Sequence, residues 1–217
     1  MEKSEIVKSV IALIKEQFEG ESTGHDWFHI ERVWNNAKLI AKGEQCDSFI
    51  VELGALFHDI ADHKFVEDYQ NEAEKRTRKV LEPLGVHEES IKKVLHIIDN
   101  CSFKGGLGKN KMKSIEGLIV QDADRLDAIG AIGVARTFAY GGKFGNEIYN
   151  PNVKPTNFKS EQDYRDSRTH TINHFYEKLL LLKDMMNTKQ GRAIAEQRHL
   201  YMQGFLEQFY GEWEGRF

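Results

Sequence analysis

The sequence predicts an all-α protein, and three observations support that prediction. Apolar residues recur at helical spacing over most of the 217 residues. Proline, which interrupts helices, occurs only three times. We find no strand-length run that alternates apolar and polar residues, and no hairpin dipeptide in the right context. These features predict a single-domain helical bundle of about eight helices.

The ends of the first three predicted helices carry recognisable signals. The first covers residues 6–18 and is closed by Gly20, the second runs over residues 26–43 with Asp26 as its N-cap, and the third opens at Asp47 and runs into His58-Asp59. The remaining predicted helices cover residues 68–82, 88–100, 114–140, 161–187 and 190–214.

The chain shows neither an internal repeat nor a change of composition that would mark a linker, so we expect one domain over residues 1–217. Its metal-site core should cover residues 20–140. Residues 140–158 are rich in Gly and Asn and contain two prolines, which predicts a loop that covers the site. Helices within residues 160–214 should pack on the core.

Composition and charge limit the functions that the chain can serve. The net charge of −4 and the pI near 6.2 argue against a global basic field for DNA, RNA or an anionic membrane. An anionic substrate must then be met locally, by a metal ion or a few cationic side chains. Two cysteines are too few for a disulfide framework, and neither a signal peptide nor a membrane-length apolar run is present. We therefore expect a cytoplasmic protein.

Two histidine-containing segments offer metal ligands. His58-Asp59 ends the apolar helix in GALFHDIADHK, and His29 lies on the apolar stripe of the second helix, in HDWFHIERV. Imidazole nitrogens and carboxylate oxygens suit Mn, Fe, Co, Ni, Zn or Mg. Each segment alone has a simpler explanation, since a His-Asp dipeptide arises by chance and a core histidine can bond to a neighbour.

Three aspartates, Asp122, Asp124 and Asp127, stand inside the otherwise apolar segment QDADRLDAIG. Burying a carboxylate costs roughly several kcal/mol unless the carboxylate is paired or binds a cation. The segment is therefore either part of a metal site or part of an Asp–Arg salt-bridge network between helices. The pattern itself leaves both alternatives open.

Together these segments follow the order H, HD, D, and at this point the sequence resembles the HD-domain metal-dependent phosphohydrolases. The likeness is greatest to the small bacterial branch called YpgQ-like. The segments that carry it, in order, are HIERVWNNA, ALFHDIAD, CSFKGG, VQDADRLDAIGAIG and QGRAIAEQRHLYMQGFLEQF.

The resemblance implies an HD-type helical fold and one divalent ion, with manganese as the first choice and Mg, Co, Ni, Fe or Zn as alternatives. Its ligands would be His29, His58, Asp59 and Asp124. Asp122 and Asp127 are rivals for the last position. Asp124 is preferred because the ligand of the wider family is the Asp of an A-D-x-L run.

The resemblance and the helical spacing also indicate residues that act beside the metal. Asp62 should face the same side as His58 and orient or deprotonate water, although a solvated acid at a helix end is the alternative. Arg32, one turn beyond His29, should face the metal. Phosphate contacts are expected from Lys104, Arg125, Arg192 and Arg198. For Arg192 and Arg198 the alternative is a surface salt bridge.

His170 and His174 lie four residues apart and could hold a second metal, but core or surface positions explain them more simply.

The resemblance implies an enzyme that hydrolyses nucleoside triphosphates to monophosphate and pyrophosphate, a substrate choice that comes from the family branch. The alternatives are a 5′-nucleotidase or a phosphodiesterase on the same site, or a non-catalytic nucleotide-sensing HD module. We expect a nucleotide as partner and neither nucleic acid nor membrane. The amphipathic terminal helix is compatible with a homodimer or with packing on its own domain.

Overall fold

The computed structural model describes residues 1–18, 26–60, 69–101, 110–156, 158 and 169–217. Within these residues the chain forms nine α-helices and one 3₁₀ helix and no β-strand, which confirms the all-α prediction. The α-helices are α1 (Lys3–Gln17), α2 (Trp27–Ala41), α3 (Ser48–Phe57), α4 (Tyr69–Leu81), α5 (Glu88–Cys101), α6 (Ile115–Asp127), α7 (Gly130–Lys143), α8 (Asn173–Glu177) and α9 (Lys189–Trp213), and the 3₁₀ helix is Leu179–Met185.

The chain folds as two compact units. In the described residues, the first unit contains α1 to α5 and α6 as far as Asp124, and the second contains the chain from Arg125 onward. The description of residues 1–217 as one domain stays a prediction. Among the described helices, none combines the length and the apolar character that crossing a membrane requires.

Helix α3 is the centre of the first unit. Eight of its ten residues are buried, and it contacts α1, α2 and α5. A helix that is apolar on nearly every side must be surrounded by other elements, because exposing any face would return apolar surface to water. The residues that follow α3, His58 and Asp59, are therefore delivered to a position next to the packed core.

The predicted N-caps of α2 and α3 are confirmed. The Asp26 carboxylate accepts a hydrogen bond from the His29 backbone N–H at 2.8 Å, and the Asp47 carboxylate accepts one from Phe49 N–H at 3.1 Å. Each cap satisfies one of the N–H groups that a helix start leaves unpaired. The Asp26 cap bonds the backbone of the first histidine of the candidate site.

The predicted helix over residues 114–140 is wrong as a single element, because α6 ends at Asp127 and α7 begins at Gly130. Gly130 has φ +78°, a left-handed conformation that costs a residue with a side chain more than it costs glycine. A Cβ atom at Gly130 would also lie 3.0 Å from Cγ of Arg198. The chain therefore turns at this glycine instead of continuing one helix.

The predicted helix over residues 161–187 is also not continuous. Residues 161–168 lie outside the described residues, and the described part contains α8 and then the 3₁₀ helix. They are separated at Lys178, whose backbone angles of φ −143° and ψ −60° are not helical. Leu179 and Leu182 are buried and three residues apart, a spacing that matches the three residues per turn of a 3₁₀ helix.

Gly54 allows close packing around α3, and we predict that Gly54→Ala destabilises the protein. A Cβ atom there would lie 2.8 Å from Cδ1 of Ile97 and 3.3 Å from Cγ2 of Val120. Overpacking typically costs about 1–3 kcal/mol, whereas replacing a helical glycine by alanine returns about 0.5–1 kcal/mol. Urea unfolding should therefore show a lower free energy of unfolding.

Gly204→Ala is the matched control for this test. Gly204 is an exposed residue of α9, and a Cβ atom there would meet no atom within 4 Å. Its free energy of unfolding should rise by about 0.5–1 kcal/mol, since only the helix propensity changes. Equal stabilisation by both substitutions would show that α3 is not tightly packed at Gly54.

Candidate metal centre

The first member of the site is His58, in the turn that follows α3. Its Nδ1 lies 2.7 Å from the backbone carbonyl of Ala55. A carbonyl oxygen only accepts hydrogen bonds, so Nδ1 carries the proton and donates it. The neutral His58 ring therefore has its lone pair on Nε2, which is the form that binds a metal ion.

The His29 ring from α2 faces that lone pair. His29 is 2 % exposed and His58 is 4 % exposed. Their Nε2 atoms are 3.2 Å apart, and the rings meet edge to face with centroids 5.2 Å apart. Two imidazoles, separated by 29 positions in the sequence, thus point their Nε2 atoms into the same small volume.

Asp59 and Asp124 complete the group on its more exposed side. The Asp59 Oδ2 atom lies 3.3 Å from His29 Nε2 and 3.5 Å from His58 Nε2. The Asp124 Oδ1 atom lies 3.7 Å and 4.0 Å from the same two nitrogens. The carboxylate side chains are 25 % and 29 % exposed, so they leave the group open to solvent where the histidines close it.

These residues fit a divalent metal ion. His29, His58 and Asp59 each offer one ligand atom, all within 4.8 Å of one another. Two ligands at right angles, each about 2.1 Å from an ion, are about 3.0 Å apart, and a tetrahedral pair is about 3.4 Å apart. The observed separations of 3.2–3.5 Å lie close to both values. At these distances the lone pairs of the ligand atoms repel one another. Either a bound ion or a proton on Nε2 of His29 would relieve that repulsion, and a metal titration distinguishes the ion from the proton.

Of the three aspartates on α6, the structure brings Asp124 to the histidines. Asp127 is buried and forms an ion pair with Arg136 instead. At Asp127, therefore, the structure shows the Asp–Arg salt bridge that was the alternative to a metal site. Asp122 is fully buried and, two residues before Asp124, lies about 200° around the helix axis from it. The geometry thus favours Asp124 over both rivals.

Comparisons with known proteins agree with this geometry. The family model for the HD domain matches residues 27–129. The Bacillus subtilis protein YpgQ is 43 % identical over 190 residues, which cover 87 % of this chain and 84 % of YpgQ. The chain belongs to the HD-domain family. As such it is a metal-dependent phosphohydrolase, and the HD-domain segment contains the whole group of histidines and aspartates.

Solved structures of similar proteins show the same fold over nearly the whole chain. An HD-superfamily hydrolase from Bacillus thuringiensis is 45 % identical, with a TM-score of 0.79 and coverage of 98 % of this chain and 99 % of that one. A Lactobacillus plantarum protein is 32 % identical, with a TM-score of 0.83 and coverage of 99 % and 100 %. Bacillus subtilis YpgQ in complex with ADP is 34 % identical in structural alignment, with a TM-score of 0.75 and coverage of 98 % and 97 %.

Arg32 is the one expected catalytic residue that the structure describes. It is partly buried on α2, three residues after His29, which places both side chains on one side of the helix. Asp62 and Lys104 lie outside the described residues. Their expected roles in this HD-domain protein stay predictions.

The other three expected phosphate contacts bond to backbone carbonyl groups within the second unit. The pairs are Arg125 with Met185, Arg192 with Met186, and Arg198 with Leu126. Burial lowers the pKa of Arg198, and the negative charge of Asp127 partly opposes that shift. For Arg192 and Arg198, these carbonyl contacts are not the surface salt bridges that were the alternative.

His170 is buried and His174 is partly buried in the second unit. His170 donates through Nε2 to the Val153 carbonyl at 3.1 Å, and its Nδ1 accepts from Asn173 N–H at 3.3 Å. Burial lowers the pKa of His174 to about 3, and the positive charge of Lys178 adds to that shift. The His174 ring is therefore neutral at pH 7, and these positions agree with the simpler interpretation of the two histidines.

Two supports of the site were missed in the sequence. One is the Ala55 carbonyl that sets the tautomer of His58, and a backbone group leaves no trace in a side-chain pattern. The other is Gly54, whose missing side chain admits Ile97 and Val120. Its only signal is a small residue on a buried helix face four residues before His58.

We predict that His58→Ala abolishes metal-dependent stabilisation. In the parent protein, Mn²⁺ at 100 times its dissociation constant should raise the free energy of unfolding by about 2.7 kcal/mol. Removing one imidazole should eliminate most of that gain in a denaturant titration with and without Mn²⁺. His87→Ala, at an exposed histidine of the same unit, should keep the full gain. An undiminished gain in His58→Ala would contradict the assignment.

We also predict that the neutral His174 ring makes stability depend on pH. An unfolded histidine has a pKa of about 6.5, whereas the folded value is about 3. The unfolded state therefore binds more protons between these values, so stability falls as the pH drops from about 6.5 toward 3. Urea unfolding of His174→Gln across this range should show a weaker pH dependence than the parent. Identical slopes would show that the ring is solvated.

Proposed function

We propose that His29, His58, Asp59 and Asp124 hold one divalent ion, Mn²⁺ as first choice, and that the protein hydrolyses nucleoside triphosphates to monophosphate and pyrophosphate. The single observation that carries the proposal is the buried His29–His58 pair with Asp59 beside it, 3.2–3.5 Å between ligand atoms. Two neutral imidazoles and two carboxylates suit a hard or borderline divalent ion.

The nucleotide substrate is supported by a relative and by charge. Bacillus subtilis YpgQ, 43 % identical, has been crystallised with ADP. The net charge of −4 leaves this chain without a general attraction for polyanions. A small nucleotide that meets a metal ion and a few cationic side chains is consistent with both facts. The preference for release of pyrophosphate comes from the likeness to the YpgQ-like branch.

In the proposed reaction, water attacks the α-phosphorus and the bond to the bridging oxygen breaks, so that pyrophosphate leaves. A bound divalent ion supplies Lewis-acid polarisation of the phosphoryl group and makes water more acidic. Asp62 accepts the proton of the attacking water, and Arg32 faces the developing charge on the phosphoryl oxygens. The hydrogen bond from His58 to Ala55 keeps its imidazole in one tautomer throughout.

The proposed phosphate contacts are Lys104, Arg125, Arg192 and Arg198. Arg125 and Arg192 bond to the adjacent carbonyls of Met185 and Met186, so their guanidinium groups lie beside one short stretch of chain. A guanidinium group has five N–H donors in a planar fork, which suits phosphate oxygens. The expectations of a cytoplasmic location, of no nucleic-acid partner and of a homodimer belong to the same proposal.

The proposal is tested by assaying metal-free protein with Mn²⁺, Mg²⁺, Co²⁺, Ni²⁺ or Zn²⁺ singly, against nucleoside tri-, di- and monophosphates. Chromatography should show Mn²⁺-dependent release of pyrophosphate and nucleoside monophosphate from a triphosphate. His58→Ala and Asp124→Asn should each lose at least about 100-fold in kcat/KM, because each removes a ligand of the ion and the loss of a single oxyanion-hole donor already costs about that much. His87→Ala should match the parent.

Other products would select an alternative function on the same site. Release of phosphate from monophosphates alone would indicate a 5′-nucleotidase, and a linear nucleotide from a cyclic one would indicate a phosphodiesterase. Tight nucleotide binding without turnover under any metal would indicate a sensing module. Each of these results would contradict the release of pyrophosphate as the activity.

A further inference from the structure

Helix α6 carries Asp124, which lies 65 positions beyond Asp59 in the sequence. The site requires that Asp124 face His29 and His58, which come from α2 and from the end of α3. Apolar packing against α3 brings α6 near, since a Cβ atom at Gly54 would lie 3.3 Å from Val120. Such packing has little directional preference. Two amide side chains add directional contacts at the end of α6 that bears Asp124.

The first amide is Gln121, buried one turn before Asp124 on α6. Its Nε2 donates to the Asn100 carbonyl at 2.8 Å and to Asn110 Oδ1 at 3.1 Å, and its Oε1 accepts from Asn110 Nδ2 at 2.9 Å. Asn100 is in the last turn of α5, where carbonyl groups lack a partner within the helix. Gln121 therefore attaches α6 to the end of α5.

The second amide is Asn36, a buried residue of α2. Its Nδ2 donates to the Ala123 carbonyl at 3.4 Å, and Ala123 immediately precedes Asp124. Asn36 comes seven residues after His29, which is about two helical turns, so the two side chains share one face of α2. The helix that carries the first histidine thus also contacts the backbone next to the last aspartate.

We propose that Asn36 and Gln121 are positioning residues, which hold α6 so that Asp124 faces His29 and His58 before an ion is bound. The proposal rests on the ligand set proposed above. Amide groups do not titrate, so this support is the same whether the histidines are protonated or neutral. A preformed arrangement binds an ion more tightly, because the ordering of the ligands does not oppose binding.

The test is calorimetric titration of metal-free protein with Mn²⁺ at a temperature well below unfolding. Asn36→Leu and Gln121→Met remove the hydrogen bonds at nearly constant volume. Each should weaken Mn²⁺ binding about 10–100-fold, the usual effect of losing a partner that orients a metal ligand. Asn173→Leu is the matched control: Asn173 is buried in the second unit, and its Nδ2 donates to the Val153 carbonyl at 3.3 Å. It should lower stability and leave Mn²⁺ affinity unchanged.

Parental Mn²⁺ affinity in both folded amide variants would overturn the proposal and leave Asn36 and Gln121 with a role in stability alone. If either variant does not fold, Asn36→Ala or Gln121→Ala is titrated under the same criterion. His58→Ala, titrated in parallel, keeps the two proposals apart. If that variant binds Mn²⁺ as tightly as the parent, the ligand set itself is wrong, whatever the amide variants do.

Discussion

The constraint on which this site depends is the approach of lone pairs that repel one another. His58 directs its proton to the Ala55 carbonyl, so its Nε2 faces His29 and Asp59 as an acceptor. Burying such a group is unfavourable unless positive charge lies among its members. A divalent ion supplies that charge. The surrounding helices hold the ligands close together, and the free energy of ion binding offsets the free energy that this arrangement costs.

Each ligand is held by a different kind of local structure. The Asp26 cap fixes the first turn of α2, which carries His29, and the apolar helix α3 brings His58 and Asp59 to its end. Asp124 stands on a helix that Gln121 bonds to the end of α5. The site is open to solvent at its carboxylates while its histidines remain buried. An open side is what a hydrolase needs to admit water and a phosphate group.

Much of this could be predicted from the sequence, and the failures have physical causes. The caps at Asp26 and Asp47 were predictable because capping is local. The break at Gly130 was not, because a glycine within an apolar pattern is compatible with a helix, and the nearby Arg198 comes from far along the chain. The choice of Asp124 among three aspartates needed the family resemblance, since each suited a buried charge. Only the tertiary structure shows that Asp127 pairs with Arg136.

The most direct test of the metal centre is a crystal structure of the protein grown with Mn²⁺, with anomalous data collected at the manganese absorption edge. One anomalous peak is expected about 2.1–2.3 Å from Nε2 of His29, Nε2 of His58 and a carboxylate oxygen each of Asp59 and Asp124, typical lengths for such bonds. A peak bound by Asp122 or Asp127 in place of Asp124 would correct the ligand set. A fully formed group of these four residues without any peak, at saturating Mn²⁺, would contradict the assignment of a metal centre.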